Sequence, residues 1–97
     1  NVSVIDLAVS TLREVSINEV NDAIRQTAAG AMSGVLAFTT EPLVSVDLNH
    51  RTESSIVALP QTDVVDGRMV RVLAWYDNEW SFATRMADTA VAMAKLI

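Results

Sequence analysis

The chain has 97 residues, enough for one domain and too few for two. Half of the residues are hydrophobic, which excludes a disordered chain, and the net charge is −5. The seven basic residues are scattered and form no patch, so nucleic-acid binding is not expected. The absence of cysteine excludes disulfides, thiolate metal sites and a thiol nucleophile within the chain, and no apolar run is long enough to span a membrane.

The first thirty residues predict a strand and then a helix. Apolar residues run almost continuously through 2–9, which is typical of a strand buried on one face and partly covered on the other. Because this strand follows Asn1 directly, we expect the chain to be cut from a longer protein. Ser16 and Glu19 have the spacing of a capping box, and Gly30 is the expected left-handed end of the helix.

The middle of the chain predicts several short strands joined by turns. Apolar segments bounded by polar or turn residues lie at 34–39, 43–48 and 54–59. The pair Asp66-Gly67 is typical of a two-residue type I′ turn, so the segment from Arg68 to Trp75 should return antiparallel.

The C-terminal segment predicts an amphipathic helix from Glu79 to Ile97, capped by Asp77. Its apolar stripe is mostly alanine, which predicts a close approach to the sheet; the stripe consists of Ala83, Met86, Ala87, Ala90, Val91 and Ala94. On the outer face, Arg85 and Asp88 are spaced for an ion pair. The order of elements predicts an α+β fold, with helices on one face of a mixed sheet.

Asn78 and the aromatic residues around it are the first candidates for a binding site. An asparagine amide both donates and accepts, so Asn78 can pair with another carboxamide, such as that of nicotinamide. The alternative, which the residues alone favour, is that Asn78 helps to cap the final helix. We expect the aromatic cluster (Trp75, Tyr76, Trp80 and Phe82) to be mostly core, with Phe82 or Tyr76 lining a pocket.

The other polar candidates carry weaker signals. His50 is the only histidine, but no triad-like arrangement surrounds it, so a solvent-facing loop position is expected. Asp6, Asp47 and Asp63 lack the spacing of a metal site or of paired catalytic acids, and are predicted to be polar residues at strand edges. The chain's three glycines, at positions 30, 34 and 67, do not have the spacing of a dinucleotide-binding fingerprint.

Taken together, these stretches resemble the C-terminal part of the catalytic domain of phosphorylating glyceraldehyde-3-phosphate dehydrogenases. The matching segments occur in the family's order and cover essentially the whole chain: 1–7, 19–21, 42–49, 54–56 and the hexapeptide Trp75-Tyr76-Asp77-Asn78-Glu79-Trp80. The resemblance implies an incomplete second domain over residues 1–97, with a mixed, largely antiparallel sheet and helices on one face. It also implies that the Rossmann domain lies outside this chain.

The family's site residues carry over only where the motif matches. Asn78 matches the asparagine that binds the nicotinamide carboxamide, and Phe82 matches an aromatic, usually tyrosine, beside the nicotinamide ring. Glu79 and Tyr76 match supporting neighbours. The family's nucleophilic cysteine and its histidine base lie upstream, so the chain should contain no catalytic residue, be inactive alone, and bind NAD weakly or not at all.

The resemblance leaves several alternatives open. The end of the chain and Asn49-His50 also resemble the related erythrose-4-phosphate dehydrogenases, and a non-catalytic, self-associating module of the same fold is a further hypothesis. The expected partners are the Rossmann domain, the upstream catalytic segment and other copies of the protein in a tetramer, with no nucleic acid or membrane. A cytoplasmic location is expected, while the aldehyde and the choice between NAD and NADP stay open.

Overall fold

The computed structural model describes residues 2–41 and 51–96, which form one mixed sheet with two α-helices. In chain order the elements are β1 (Val2–Ser10), α1 (Ile17–Ala29), β2 (Leu36–Thr39), β3 (Ser55–Ala58), a short 3-10 helix (Leu59–Gln61), β4 (Asp63–Val65), β5 (Met69–Asp77) and α2 (Trp80–Ala94). The predicted segment 43–48, together with Asp47 and His50, lies outside the described residues.

The sheet is organised around β5, the longest strand together with β1 among the described residues. β1 runs antiparallel to β5 along its whole length, from Val2 opposite Asp77 to Ser10 opposite Met69. The other edge of β5 pairs antiparallel with β4 near its start and with β3 near its end. β2 runs parallel to β3. The predicted α+β fold with a mixed, largely antiparallel sheet is confirmed.

The hairpin between β4 and β5 follows from the chemistry of its turn. Asp66 and Gly67 both have positive φ, +52° and +72°, as a type I′ turn requires, and the Arg68 N–H donates to Val65 O at 3.3 Å. Val65 nevertheless pairs with Met69, so Arg68 is one extra residue beyond the predicted two-residue loop. The antiparallel return of β5 is confirmed.

The start of α1 follows the predicted cap, but its end does not. The Glu19 N–H donates to Ser16 Oγ at 3.1 Å, while the Glu19 carboxylate pairs with Arg13 at 2.9 Å instead of reaching back to Ser16. Gly30 has φ −114°, so the predicted left-handed terminator is wrong. The Gly30 N–H still closes the helix by donating to Gln26 O at 3.0 Å.

The buried core is small and lies on β3 and the adjoining part of β5. Its apolar members, all less than a tenth exposed, are Ile56, Val57, Ala58, Leu59 and Val70. Pro60 follows within the 3-10 helix, which ends β3. β3 lies between β2 and β5, so neighbouring strands cover both of its edges.

β1 and α2 are far more exposed than the sequence predicts. From Val4 to Ser10 every residue of β1 is exposed, so the expectation of one buried face is wrong for this chain. In α2 only Ser81 is buried, and the predicted alanine-rich stripe does not lie against the sheet. The physical reason is the same for both elements: among the described residues, no further layer covers them.

Candidate functional site

The junction between β5 and α2 is built on Asp77, the last residue of the strand. Asp77 is buried, and its Oδ1 accepts from the N–H groups of Glu79 at 3.1 Å and Trp80 at 2.8 Å. These bonds satisfy two of the helix N–H groups that lack an intrahelical partner. The buried Ser81 hydroxyl donates to Asp77 O at 2.6 Å, which fastens the first turn of the helix to the strand. The predicted capping role of Asp77 is confirmed.

Asn78 occupies the exposed turn that Asp77 holds in place. It follows the buried strand end directly and precedes α2 by one residue. Asp77, not Asn78, supplies the side-chain bonds that cap the helix. Asn78 is exposed, and within the described ranges no hydrogen bond of its side chain is found. This arrangement can present a carboxamide in a fixed place to a polar ligand.

The aromatic residues around this turn do not form a core, and that expectation is wrong. Phe82 is 62% exposed and Trp80 45%, while Trp75 and Tyr76 are half-buried. Phe82 lies on the first turn of α2, four residues beyond Asn78. An exposed aromatic ring offers a planar ligand a stacking surface, and an exposed carboxamide offers it a hydrogen-bonding group.

The sequence predicts that Arg85 lies on the outer face of α2, and this prediction is wrong. It forms the predicted ion pair with Asp88 at 3.0 Å, but its side chain is only 25% exposed and does not lie on an outer face. Arg85 Nη1 donates to Gly34 O at 3.0 Å, in the turn before β2. The spacing of Arg85 and Asp88 could not reveal this, because the acceptor lies 51 positions away in the sequence.

Asp6, one of the carboxylates that the sequence predicts at strand edges, has a structural partner. Arg71 on β5 donates to Asp6 on β1 through two bonds, the one from Nε to Oδ1 measuring 2.7 Å. The bonds from Arg71 hold the pKa of Asp6 below its ordinary value. Asp6 and Asp63 both line a polar groove of about 290 Å³ beside the 3-10 helix. Within residues 2–41 and 51–96, no three metal-ligating side chains lie close enough together to hold a metal ion.

A second ion pair between an arginine and a carboxylate lies just before β3. Arg51 Nη2 and Nε donate to the two Glu53 carboxylate oxygens at 2.9 and 3.3 Å. These bonds lower the pKa of Glu53 despite the opposing effect of its burial, and the positive charge of Arg85 acts in the same direction. Ser54 follows, and its hydroxyl accepts from Arg85 Nη1 at 3.5 Å. Ser54 thus contributes a weak contact to the support of α2.

Comparison with known proteins gives close relatives for the whole chain. The chain is 57% identical over 97 residues to the glyceraldehyde-3-phosphate dehydrogenase of Cereibacter sphaeroides and 54% identical over 96 residues to that of Xanthobacter flavus. It is 50% identical over 94 residues to that of Pseudomonas aeruginosa. The alignments cover 100%, 99% and 97% of this chain but only 29%, 29% and 27% of those proteins. The chain therefore spans less than a third of the curated relatives that it matches.

The family match agrees with these relatives and with the fold. No helix within the described ranges has both the length and the apolar character needed to cross a membrane. Residues 1–78 match the family described as glyceraldehyde 3-phosphate dehydrogenase, C-terminal domain, and this range ends at Asn78. The chain belongs to that family.

Proposed function

We propose that this chain is the C-terminal part of the catalytic domain of an NAD-dependent phosphorylating aldehyde dehydrogenase, and that Asn78 and Phe82 face the nicotinamide. The observation that carries the proposal is that Asn78 is exposed on a turn whose backbone is fixed by hydrogen bonds to the buried Asp77 carboxylate. The whole-length similarity to glyceraldehyde-3-phosphate dehydrogenases supports the proposal.

The residues at the turn suit this cofactor. A carboxamide paired with a carboxamide makes two hydrogen bonds in one plane, so Asn78 would fix the rotation of the nicotinamide ring. The exposed ring of Phe82 would cover part of the cofactor's surface and exclude water there. NAD, when bound, supplies the hydride acceptor. The task of this chain is to orient that acceptor, because a small misplacement strongly slows a transfer that depends on alignment.

Other parts of the reaction must come from polypeptide outside this chain. The 97 residues contain no cysteine, so the thiol nucleophile of this enzyme type is not among them. We therefore expect no dehydrogenase activity from the chain alone, and NAD binding that is weak or absent. In the full-length protein the Rossmann domain, the upstream catalytic segment and further copies of the protein would cover the exposed apolar side chains of β1 and α2.

The test is Asn78→Ala in the full-length protein that carries this chain. The variant should lose about 1–3 kcal/mol of NAD binding or transition-state stabilisation, a factor of roughly 5–150. Asn18→Ala is the matched control, because Asn18 is an exposed asparagine at the start of the other helix. Calorimetry with NAD and steady-state kinetics with both aldehyde phosphates measure the effect. If Asn78→Ala leaves NAD affinity and turnover unchanged, the proposed site is wrong.

The exposed apolar surface also supports a second candidate function, a non-catalytic module that associates with itself. Exposed side chains on α2 include Met86, Val91 and Met93, and those on β1 include Val4 and Leu7. Sedimentation of the chain alone distinguishes the two functions. A discrete, stable oligomer would support the module, while a soluble monomer that docks onto its missing domains would support the enzyme.

A further inference from the structure

The turn that presents Asn78 carries two negatively charged side chains. Asp77 and Glu79 flank Asn78 in the chain, and residues 75–84 contain no lysine or arginine. Asp77 Oδ1 accepts from the Glu79 N–H at 3.1 Å and from the Trp80 N–H at 2.8 Å, so its carboxylate lies against the backbone of the turn. Glu79 is exposed, and within the described residues it forms no ion pair. A ligand bound at Asn78 therefore lies beside two carboxylates.

The start of α2 adds a smaller charge of opposite sign. The aligned peptide dipoles of a helix place a partial positive charge, about half an elementary charge, at its N-terminus. Asp77 accepts from two N–H groups at this end, so its carboxylate offsets the helix, and Glu79 leaves an excess of negative charge. Arg85 lies more than one turn into the helix, where it bonds Gly34 O and pairs with Asp88. The charges of the turn therefore suit a cation.

Phe82 supplies a second feature that favours a cation. Its side chain is 62% exposed on the first turn of α2. The face of an aromatic ring attracts a positively charged group placed over it, which raises affinity about 2–5-fold at an exposed site. An uncharged planar ring stacks on the same face without this attraction. The carboxylates and the aromatic face are independent features, and both favour a ligand with positive charge.

We propose that this turn selects the oxidised cofactor: Asp77, Glu79 and Phe82 favour the positively charged nicotinamide of NAD⁺ over the uncharged dihydronicotinamide of NADH. This inference rests on the proposed function and deepens it. Asn78 alone treats the two forms alike, because both carry the same carboxamide. Hydride transfer moves a proton with two electrons from the substrate carbon to the ring and cancels the positive charge of the ring. The attraction therefore acts on the cofactor that enters and ceases once it is reduced.

Cover from parts outside this chain would strengthen the preference. Such cover excludes water, and a lower effective dielectric constant increases the attraction between a carboxylate and a positively charged ring. Charged groups on those parts act on the unaltered full-length protein and on each variant alike. A comparison of the variants with the unaltered protein therefore isolates the charges of this turn.

The experiment measures the dissociation constants of NAD⁺ and NADH for the full-length protein by calorimetry. Glu79→Gln keeps the size of the side chain and removes its charge, so it should weaken NAD⁺ binding about 2–5-fold and leave NADH binding nearly unchanged. Asp77→Asn keeps an oxygen that can cap the helix, and should lower the preference for NAD⁺ about 3–10-fold. The effect of Glu79→Gln should decrease in about 0.5 M salt.

Two further variants complete the comparison. Phe82→Leu removes the aromatic face and should lower the preference for NAD⁺ about 2–5-fold. Glu14→Gln is the matched control: Glu14 is an exposed glutamate in the loop before α1, so removing its charge should not change the ratio of the two dissociation constants. A merely structural defect weakens the binding of both forms equally, so this ratio reports charge. Thermal unfolding without cofactor identifies the variants that fold.

The outcomes separate this inference from the proposed function. If Asn78→Ala weakens the binding of both forms while Glu79→Gln and Asp77→Asn leave the ratio unchanged, the inference is wrong and the proposed function stands. If Asn78→Ala affects neither form, the proposed site is wrong, and the inference with it. If Asp77→Asn does not fold, Glu79→Gln decides, because its side chain is exposed. A selective loss of NAD⁺ binding then supports the inference, and an equal loss of both forms, or no loss, overturns it.

Discussion

The strands β3 and β1 are both rich in apolar residues, yet they have opposite environments. Ile56 on β3 is 1% exposed, whereas Ile5 on β1 is 49% exposed. β3 lies between two strands of the sheet, and β1 pairs with β5 on one edge only. The comparison teaches that the apolar pattern of a strand indicates its capacity to be buried, while its neighbours determine whether it is.

The same lesson applies to α2. Its alanine-rich stripe has the spacing of a helix that lies on a sheet, but the stripe is exposed among the described residues. A contiguous apolar surface of this kind indicates an interaction surface. Under the proposed function, the cover for β1 and α2 comes from parts of the enzyme that lie outside this chain.

The largest expected effect is on the β3 side of the comparison. Ile56→Ala should lower the free energy of unfolding by about 2–5 kcal/mol, because it removes a fully buried side chain and leaves a cavity. Ile5→Ala is the matched control on β1. In this chain alone it should cost about 1 kcal/mol or less, since half of the Ile5 side chain is already exposed. Urea unfolding measures both.

Repeating both substitutions in the full-length protein sharpens the comparison. If the missing parts cover β1, the cost of Ile5→Ala should rise toward the core value of about 2–5 kcal/mol, while the cost of Ile56→Ala stays nearly the same. An equally small effect of Ile5→Ala in both proteins would show that β1 stays uncovered, and would contradict the expected packing of the missing segments.

A smaller effect is expected at the start of α2, where two neighbouring polar residues have different tasks. Asp77→Ala should cost about 0.5–2 kcal/mol of stability, because it removes the acceptor of two helix N–H groups. Asn78→Ala should change stability by less than about 0.5 kcal/mol, as for an exposed side chain without a structural bond. Thermal unfolding compares them. A larger loss for Asn78→Ala would assign it a structural role.

Local signals in the sequence predicted the local features of the fold. Ser16 and Asp77 were recognised as caps, and Asp66-Gly67 as a turn, because each depends on residues within three positions. The role of Asn78 at the cofactor is implied by the family resemblance and stays a prediction. The left-handed conformation expected at Gly30 did not occur, since the backbone N–H closes the helix at an ordinary negative φ.

Long-range features could not be predicted in the same way. The bond from Arg85 to Gly34 joins residues 51 positions apart, and the pairing of Arg71 with Asp6 joins residues 65 apart. No spacing rule connects such residues before the sheet order is known. Burial was the other failure: periodicity indicates which face of β1 or α2 is apolar, but it contains no information about what covers that face.

The smallest effect concerns two ion pairs between an arginine and a carboxylate. One lies just before β3, and the other joins β1 to β5. Bonds from Arg51 lower the pKa of Glu53, before β3, and bonds from Arg71 lower the pKa of Asp6, on β1. The ordinary pKa is 4.5 for Glu53 and 3.8 for Asp6. A carboxyl group whose pKa is lowered in the folded state stabilises the fold at pH values above its ordinary pKa. That contribution is lost as the pH falls from there through the folded-state pKa.

We expect the Glu53 pair to contribute about 1 kcal/mol or less, because solvent screens it, and to respond less to salt than the exposed Asp6 pair. Urea unfolding of Glu53→Gln and Asp6→Asn across the acid range, in low salt and in about 0.5 M salt, measures both. Each variant should unfold with a weaker pH dependence than the unaltered chain. Equal salt sensitivity of the two pairs would contradict the difference in burial between the β3 and β1 sides, since only a shielded pair keeps its interaction in high salt.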